Sequence, residues 1–139
     1  MYELIYRSTA RQGLPSEELF RIIEQSARNN PFADITGFLI YADGHFLQLV
    51  EGPLQGLEDL LTVLRRDPRH HSLQIVSRRE IYERSFPRWR MKRLGDGQDV
   101  LGELRAVLSE QGRGAALPSE VVAFIAEQAG QAALKSAAA

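Results

Sequence analysis

Apolar positions along the first half of the chain follow two alternating rhythms. YELIYRST (residues 2–9) is rich in Tyr, Ile and Leu and reads as a strand. Ser16 can cap a helix, with Glu17 and Glu18 in its first turn. Leu19, Phe20, Ile22, Ile23 and Ala27 then recur at helical spacing, which predicts a helix over 17–28. Asn29-Asn30-Pro31 ends it, because the residue before a proline avoids the helical region. ITGFLIYA (35–42) and HFLQLVE (45–51) read as two further strands, joined by the hairpin signal Asp43-Gly44. After Gly52-Pro53, the spacing of Leu57, Leu60, Leu61 and Leu64 predicts a second helix over 54–65, stopped by Arg66-Asp67-Pro68. A fourth strand lies within 72–83, and Trp89-Arg90-Met91 reads as a short fifth.

The order β-α-β-β-α-β-β is that of an α+β, ferredoxin-like sheet with an extra edge strand and two helices on one face. Beyond Gly95 the pattern changes. Residues 99–111 and 118–135 are amphipathic helical segments separated by Gly112-Arg113-Gly114, too short for a second domain and suited to covering the other, apolar face of the sheet. The expected division is a sheet domain at 1–95 and a helical extension at 96–139.

One position breaks the pattern. Side chains alternate along a strand, so Phe46, Gln48 and Val50 share a face, and Gln48 places a carboxamide on an apolar surface. A buried amide without partners costs about 1–3 kcal/mol. Tyr6 raises the same question on the first strand, which neighbours the third at the centre of such a sheet. Asn30, expected at the end of the first helix, is within reach of the gap between the helices in such a fold. Each has an ordinary reading: a core tyrosine, an amide bonded to a neighbouring strand, a helix C-cap. Together, around a slot lined by Ile22 and Leu64, they point to a flat, polar-edged ligand between the helices.

Composition narrows the classes. The 139 residues suit one domain, and 17 basic against 18 acidic residues leave a net charge of −1, so no global field favours nucleic acid or an anionic membrane. The absence of cysteine excludes disulfides, thiolate nucleophiles and cysteine-based zinc sites. No signal peptide and no apolar run of about 18 residues is present, so a cytoplasmic protein is expected. The basic run Arg88-Trp89-Arg90-Met91-Lys92-Arg93 reads as a solvated edge strand rather than a nucleic-acid surface. His45, His70 and His71 lack the spacing of metal ligands and read as loop histidines; no metal is expected. Ser8 lacks a nucleophile elbow, and Glu17-Glu18 and Glu58-Asp59 look like exposed helix positions.

Five stretches carry a family resemblance: IYRSTA (5–10), SARNNPFADITGFLIY (26–41), GHFLQLVEG (44–52), RRDPRHHSLQIV (65–76) and FPRWRM (86–91). In order and spacing they are similar to the BLUF domain, a blue-light sensor that uses flavin, and the C-terminal helices resemble those of its short, single-domain members. The resemblance implies non-covalent FAD, with FMN and riboflavin left open, held between the two helices. It assigns the redox tyrosine to Tyr6, the switching glutamine to Gln48 and the ring-edge asparagine to Asn30. Ile22 and Leu64 would sandwich the ring, and Phe46 would lie close to it. Arg66, Asp67, Arg69 and His70 would lie near its polar edge and ribityl side. The mobile tryptophan and methionine of the last strand fall on Trp89 and Met91, the signalling pair. The implied function is a photoreceptor, not an enzyme: light drives electron and proton transfer from Tyr6, and Gln48 rearranges. The signal then passes through the sheet and C-terminal helices to a separate partner, such as a cyclic-di-GMP enzyme or a response-regulator-like protein. A homo-oligomer is expected. A small flavin-binding redox enzyme and a ligand-free ferredoxin-like interaction module remain the alternatives.

Overall fold

The computed structural model describes residues 1–13, 18, 21, 34–68, 70–95, 99–110 and 117–138, with backbone only for 131–138. Five strands, β1 (Tyr2–Ala10), β2 (Thr36–Ala42), β3 (His45–Gly52), β4 (His70–Glu80) and β5 (Lys92–Gly95), form one sheet in the order β4-β1-β3-β2-β5. β1 and β3 are antiparallel neighbours at the centre, as a ferredoxin-like order requires, and β5 adds to β2 in parallel. The helices are α1 (Leu54–Arg66), α2 (Val100–Glu110) and α3 (Ser119–Ala138). Of the helix expected at 17–28, Glu18 and Arg21 are helical; the rest of it lies outside the described residues.

The apolar spacing that predicts α1 is the face it buries: Leu57, Leu60, Leu61 and Leu64 turn inward while Glu58, Asp59 and Thr62 face solvent. Its last turn carries Arg65 and Arg66, favourable against the helix dipole, and the Asp67 N–H closes it on the Leu64 carbonyl. Strand alternation divides the core in two. On one face Leu4, Tyr6, Leu39, Phe46 and Val50 pack under α1. On the other Ile5, Phe38, Ile40, Leu47 and Leu49 pack against Leu104 and Leu108 of α2 and Val121 and Phe124 of α3. The C-terminal helices therefore cover the second face, as expected from their amphipathic pattern.

Two boundaries differ from the sequence reading. β4 begins at His70, so His70 is a buried strand residue and not a solvated loop histidine. The fifth strand is Lys92–Gly95, not Trp89-Arg90-Met91. Met91 has φ +61, a left-handed conformation that interrupts an extended run. The Trp89 backbone meets β2 by accepting a 2.7 Å hydrogen bond from the Gly37 N–H. Gly37 itself has φ +147, and a Cβ there would collide with the Leu49 carbonyl of β3, so glycine is required where the two strands approach.

Candidate functional site

Tyr6 and Gln48 are directly opposite each other in the β1–β3 ladder, and Leu39 flanks Gln48 on the β2 side. Gln48 is fully buried and Tyr6 nearly so, at 2% exposure. Both side chains stand on the face that α1 covers, beside Phe46, Leu64 and Met91. Phe46 leans on Tyr41 with ring centroids 4.8 Å apart.

The polar groups on this face are under-satisfied. Gln48 Nε2 donates to Met91 Sδ at 2.7 Å, and a thioether is a weak acceptor. Gln48 Oε1 and the Tyr6 hydroxyl have no hydrogen-bond partner among the described residues. Native proteins pair the great majority of such groups. Burial pushes the Tyr6 phenol well above its ordinary pKa, so it is neutral and keeps its proton. The same pattern recurs at the neighbouring strand end. His70 Nε2 lies 2.6 Å from the Leu64 carbonyl; a carbonyl only accepts, so Nε2 bears the hydrogen. His70 Nδ1 is buried without a partner. Orphaned donors and acceptors on an apolar floor are what a flat ligand with a polar edge satisfies. The described residues thus fit a flavin: aliphatic and aromatic walls, a phenol, an amide and an imidazole nitrogen.

The remaining expected residues sort into three groups. Arg66 is exposed at the end of α1, and Asp67 caps that helix, both close in sequence to His70. Ile22, Asn30 and Arg69 lie outside the described residues. Trp89 and Met91 part company: Met91 is buried against Gln48, while half-buried Trp89 belongs to the opposite face. There its ring stacks on Phe86, 5.2 Å away, and meets Phe38 edge-on. Neither residue lies on a strand next to Gln48, since β2 intervenes.

A further polar group escapes the sequence reading. Glu3 and Glu51 are opposite each other on β1 and β3, both buried. Arg79 Nε bonds Glu3 Oε1 at 2.9 Å. Glu51 Oε2 accepts the Ser85 N–H at 2.8 Å and, more weakly, the Phe86 N–H at 3.5 Å. The Arg84 guanidinium donates to the Asp34 carbonyl and carboxylate, the Thr36 hydroxyl and the Glu51 carbonyl. Burial is the main cause that raises the Glu51 pKa, to about 7, with Glu3 adding to it and the two backbone N–H groups and Arg84 opposing it. A charged residue in an otherwise apolar strand was the available signal, but which face the helices cover decides its meaning.

Comparison with known proteins agrees with this geometry. The sequence profile of BLUF, sensors of blue-light using FAD, matches residues 1–92. A photoactivated adenylate cyclase subunit beta of Euglena longa is 36% identical over 84 residues, which is 60% of this chain and 10% of that protein. The dark-state structure of BlrB, a BLUF protein, is 30% identical with a TM-score of 0.65, covering 94% of this chain and 96% of that one. Klebsiella pneumoniae BlrP1 with FMN and cyclic diGMP is 27% identical with a TM-score of 0.67, covering 76% of this chain and 30% of that one. The match thus spans a small part of the longer relatives and nearly all of the short one. Paired at the centre of the sheet, with buried polar atoms that call for a polar-edged ligand, Tyr6 and Gln48 stand where the matched profile runs, and the chain belongs to the BLUF family of flavin-binding blue-light sensors.

Proposed function

We propose that this chain senses blue light through Tyr6 and Gln48 and passes the result to a separate output protein. The observation that carries the site is the pair of buried, unpartnered atoms, Tyr6 Oη and Gln48 Oε1, on adjacent central strands. A bound flavin supplies blue absorption and, once excited, strong oxidising power. Tyr6 would be the electron donor to that group, its neutral phenol giving up its proton with the electron and taking both back within the cycle. Gln48 offers both a donor and an acceptor, so it relays that proton and settles into a changed hydrogen-bond arrangement. Phe46, Leu64 and Ile22 form the apolar walls that strengthen these bonds by excluding water. Asn30, Arg66, Asp67, Arg69 and His70 hold the ligand's polar edge and ribityl side; the orphaned Nδ1 of His70 supports its part.

The sensor unit in this proposal is residues 1–95, and the extension 96–139 transmits through the contact of α2 and α3 with the second sheet face. The chain acts as a sensor and not an enzyme. Its partner is drawn from the output chemistries of longer relatives, where a cyclase or a cyclic-diGMP protein accompanies the same fold. Copies of the chain associate along the exposed edge strand β4, which presents Ile75. The setting is cytoplasmic; among the described residues no helix is long and apolar enough to cross a membrane.

The test is an absorption spectrum of the purified protein in darkness and after blue light. A flavin spectrum that shifts slightly red and recovers in the dark is expected, and Gln48→Ala should abolish the shift while the flavin stays bound. Bleaching under light, or a shift that survives Gln48→Ala, would overturn the assignment.

A further inference from the structure

Met91 reaches Gln48 from a chain segment that is fixed elsewhere. The connection from β4 to β5 starts on the face covered by α2 and α3, where Phe86 and Trp89 pack, and ends on the Gln48 face with Met91. It crosses between the two around the β2 edge. Several bonds fix it. The Trp89 carbonyl takes the Gly37 N–H at 2.7 Å. Arg84 bonds four acceptors around Asp34, Thr36 and Glu51. The Glu51 carboxylate takes the Ser85 N–H at 2.8 Å. Glu51 lies three residues beyond Gln48 on the same strand and points to the opposite face.

We propose that Glu51, together with Arg84, is a positioning residue of the photocycle: it clamps the start of the β4–β5 connection and so holds Met91 on Gln48. The proposal deepens the photoreceptor reading and rests on it for its effect on light recovery. A carboxylate binds an N–H more strongly than its neutral acid does. Ionised Glu51 therefore grips Ser85, and neutral Glu51 grips it less. Its pKa of about 7 places that change at neutral pH. The groups that face this carboxyl or its neighbours are Glu3 from β1, Arg79 from β4, Arg84 from the connection, Asp34 before β2 and Glu120 from α3. His70 lies on the other face of the sheet and is separated from the prediction by the choice of variant. Glu51→Gln keeps an acceptor for Ser85 and removes the titration.

Two readouts decide it, both on the full chain between pH 5.5 and 8.5. Trp89 is the chain's one tryptophan and sits on the clamped segment, so its emission reports the clamp without any light response. In the wild type, emission should move to longer wavelength as pH falls through about 7, and the rate of dark recovery should change by about threefold or more. In Glu51→Gln both should be flat and should match the wild type's low-pH values. An unchanged titration of Trp89 in Glu51→Gln overturns the clamp. Titration of Trp89 without a matching change in recovery overturns its action on the Gln48 site. If the wild type shows no red shift at all, the photoreceptor reading falls, and the Trp89 titration still confirms or overturns the clamp.

Discussion

The hydroxyl of Tyr6 is a local cost that the fold carries. It is buried opposite Gln48, has no partner among the described residues, and its proton is held by burial. Tyr6→Phe removes that hydroxyl and little else. In flavin-free protein the substitution should therefore leave stability unchanged or raise it by about 1 kcal/mol, read by urea denaturation. In flavin-loaded protein the same change should remove the reversible red shift. A loss of more than about 2 kcal/mol in the flavin-free form would mean that Tyr6 is an ordinary core tyrosine with a satisfied hydroxyl. This residue-scale opposition, a gain in stability against a loss of response, separates a functional polar group from a structural one. Sequence alone leaves both readings of Tyr6 and Gln48 open, because a strand pattern shows which side chains share a face but not whether their polar atoms find partners. The register and the orphaned atoms support the functional reading, which the Tyr6→Phe comparison tests.

At the scale of elements, the strands and α1 are legible because their apolar spacing matches the faces they bury. The hairpin turn Asp43-Gly44 is equally clear: both residues have positive φ, at 50 and 79, as a tight two-residue turn demands. The misplaced fifth strand has a different cause. Trp89 and Met91 look like alternating strand residues, yet one packs with Phe86 on the far face and the other reaches Gln48. The left-handed backbone at Met91 makes that crossing, and no propensity announces it. Glu51 was illegible for a related reason: its anchor partners, Ser85 and Phe86, are 34 and 35 residues away. Gly37 ties these elements together, since β3 presses on it and its N–H holds Trp89. Gly37→Ala should therefore cost more than about 3 kcal/mol or prevent folding, measured by thermal or urea melts. A cost near 1 kcal/mol, ordinary for a tolerated glycine, would show that β2 and β3 can part without losing the sheet.

For the whole molecule, Glu51 gives stability a pH dependence with a definite sign. Its pKa is 4.5 in an unfolded chain and about 7 here. Between those values the folded state binds the proton that the unfolded state has released. The contribution is therefore present in full below about 4.5, declines as pH rises, and is gone above about 7. Across pH 5.5 to 8 this amounts to roughly 2 kcal/mol. Neutralisation thus favours the fold as a whole, by relieving the burial of a charge, while it weakens the one bond to Ser85. The two effects have different readouts and do not conflict. Other groups titrate over the same range, so the relevant quantity is the difference between wild type and Glu51→Gln in urea melts at each pH. That difference should shift by roughly 2 kcal/mol in the wild type's favour on going from pH 8 to pH 5.5. A constant difference would show that Glu51 titrates like a solvated carboxylate, and that the buried acid at the foot of the β4–β5 connection is not the source of the protein's response to pH.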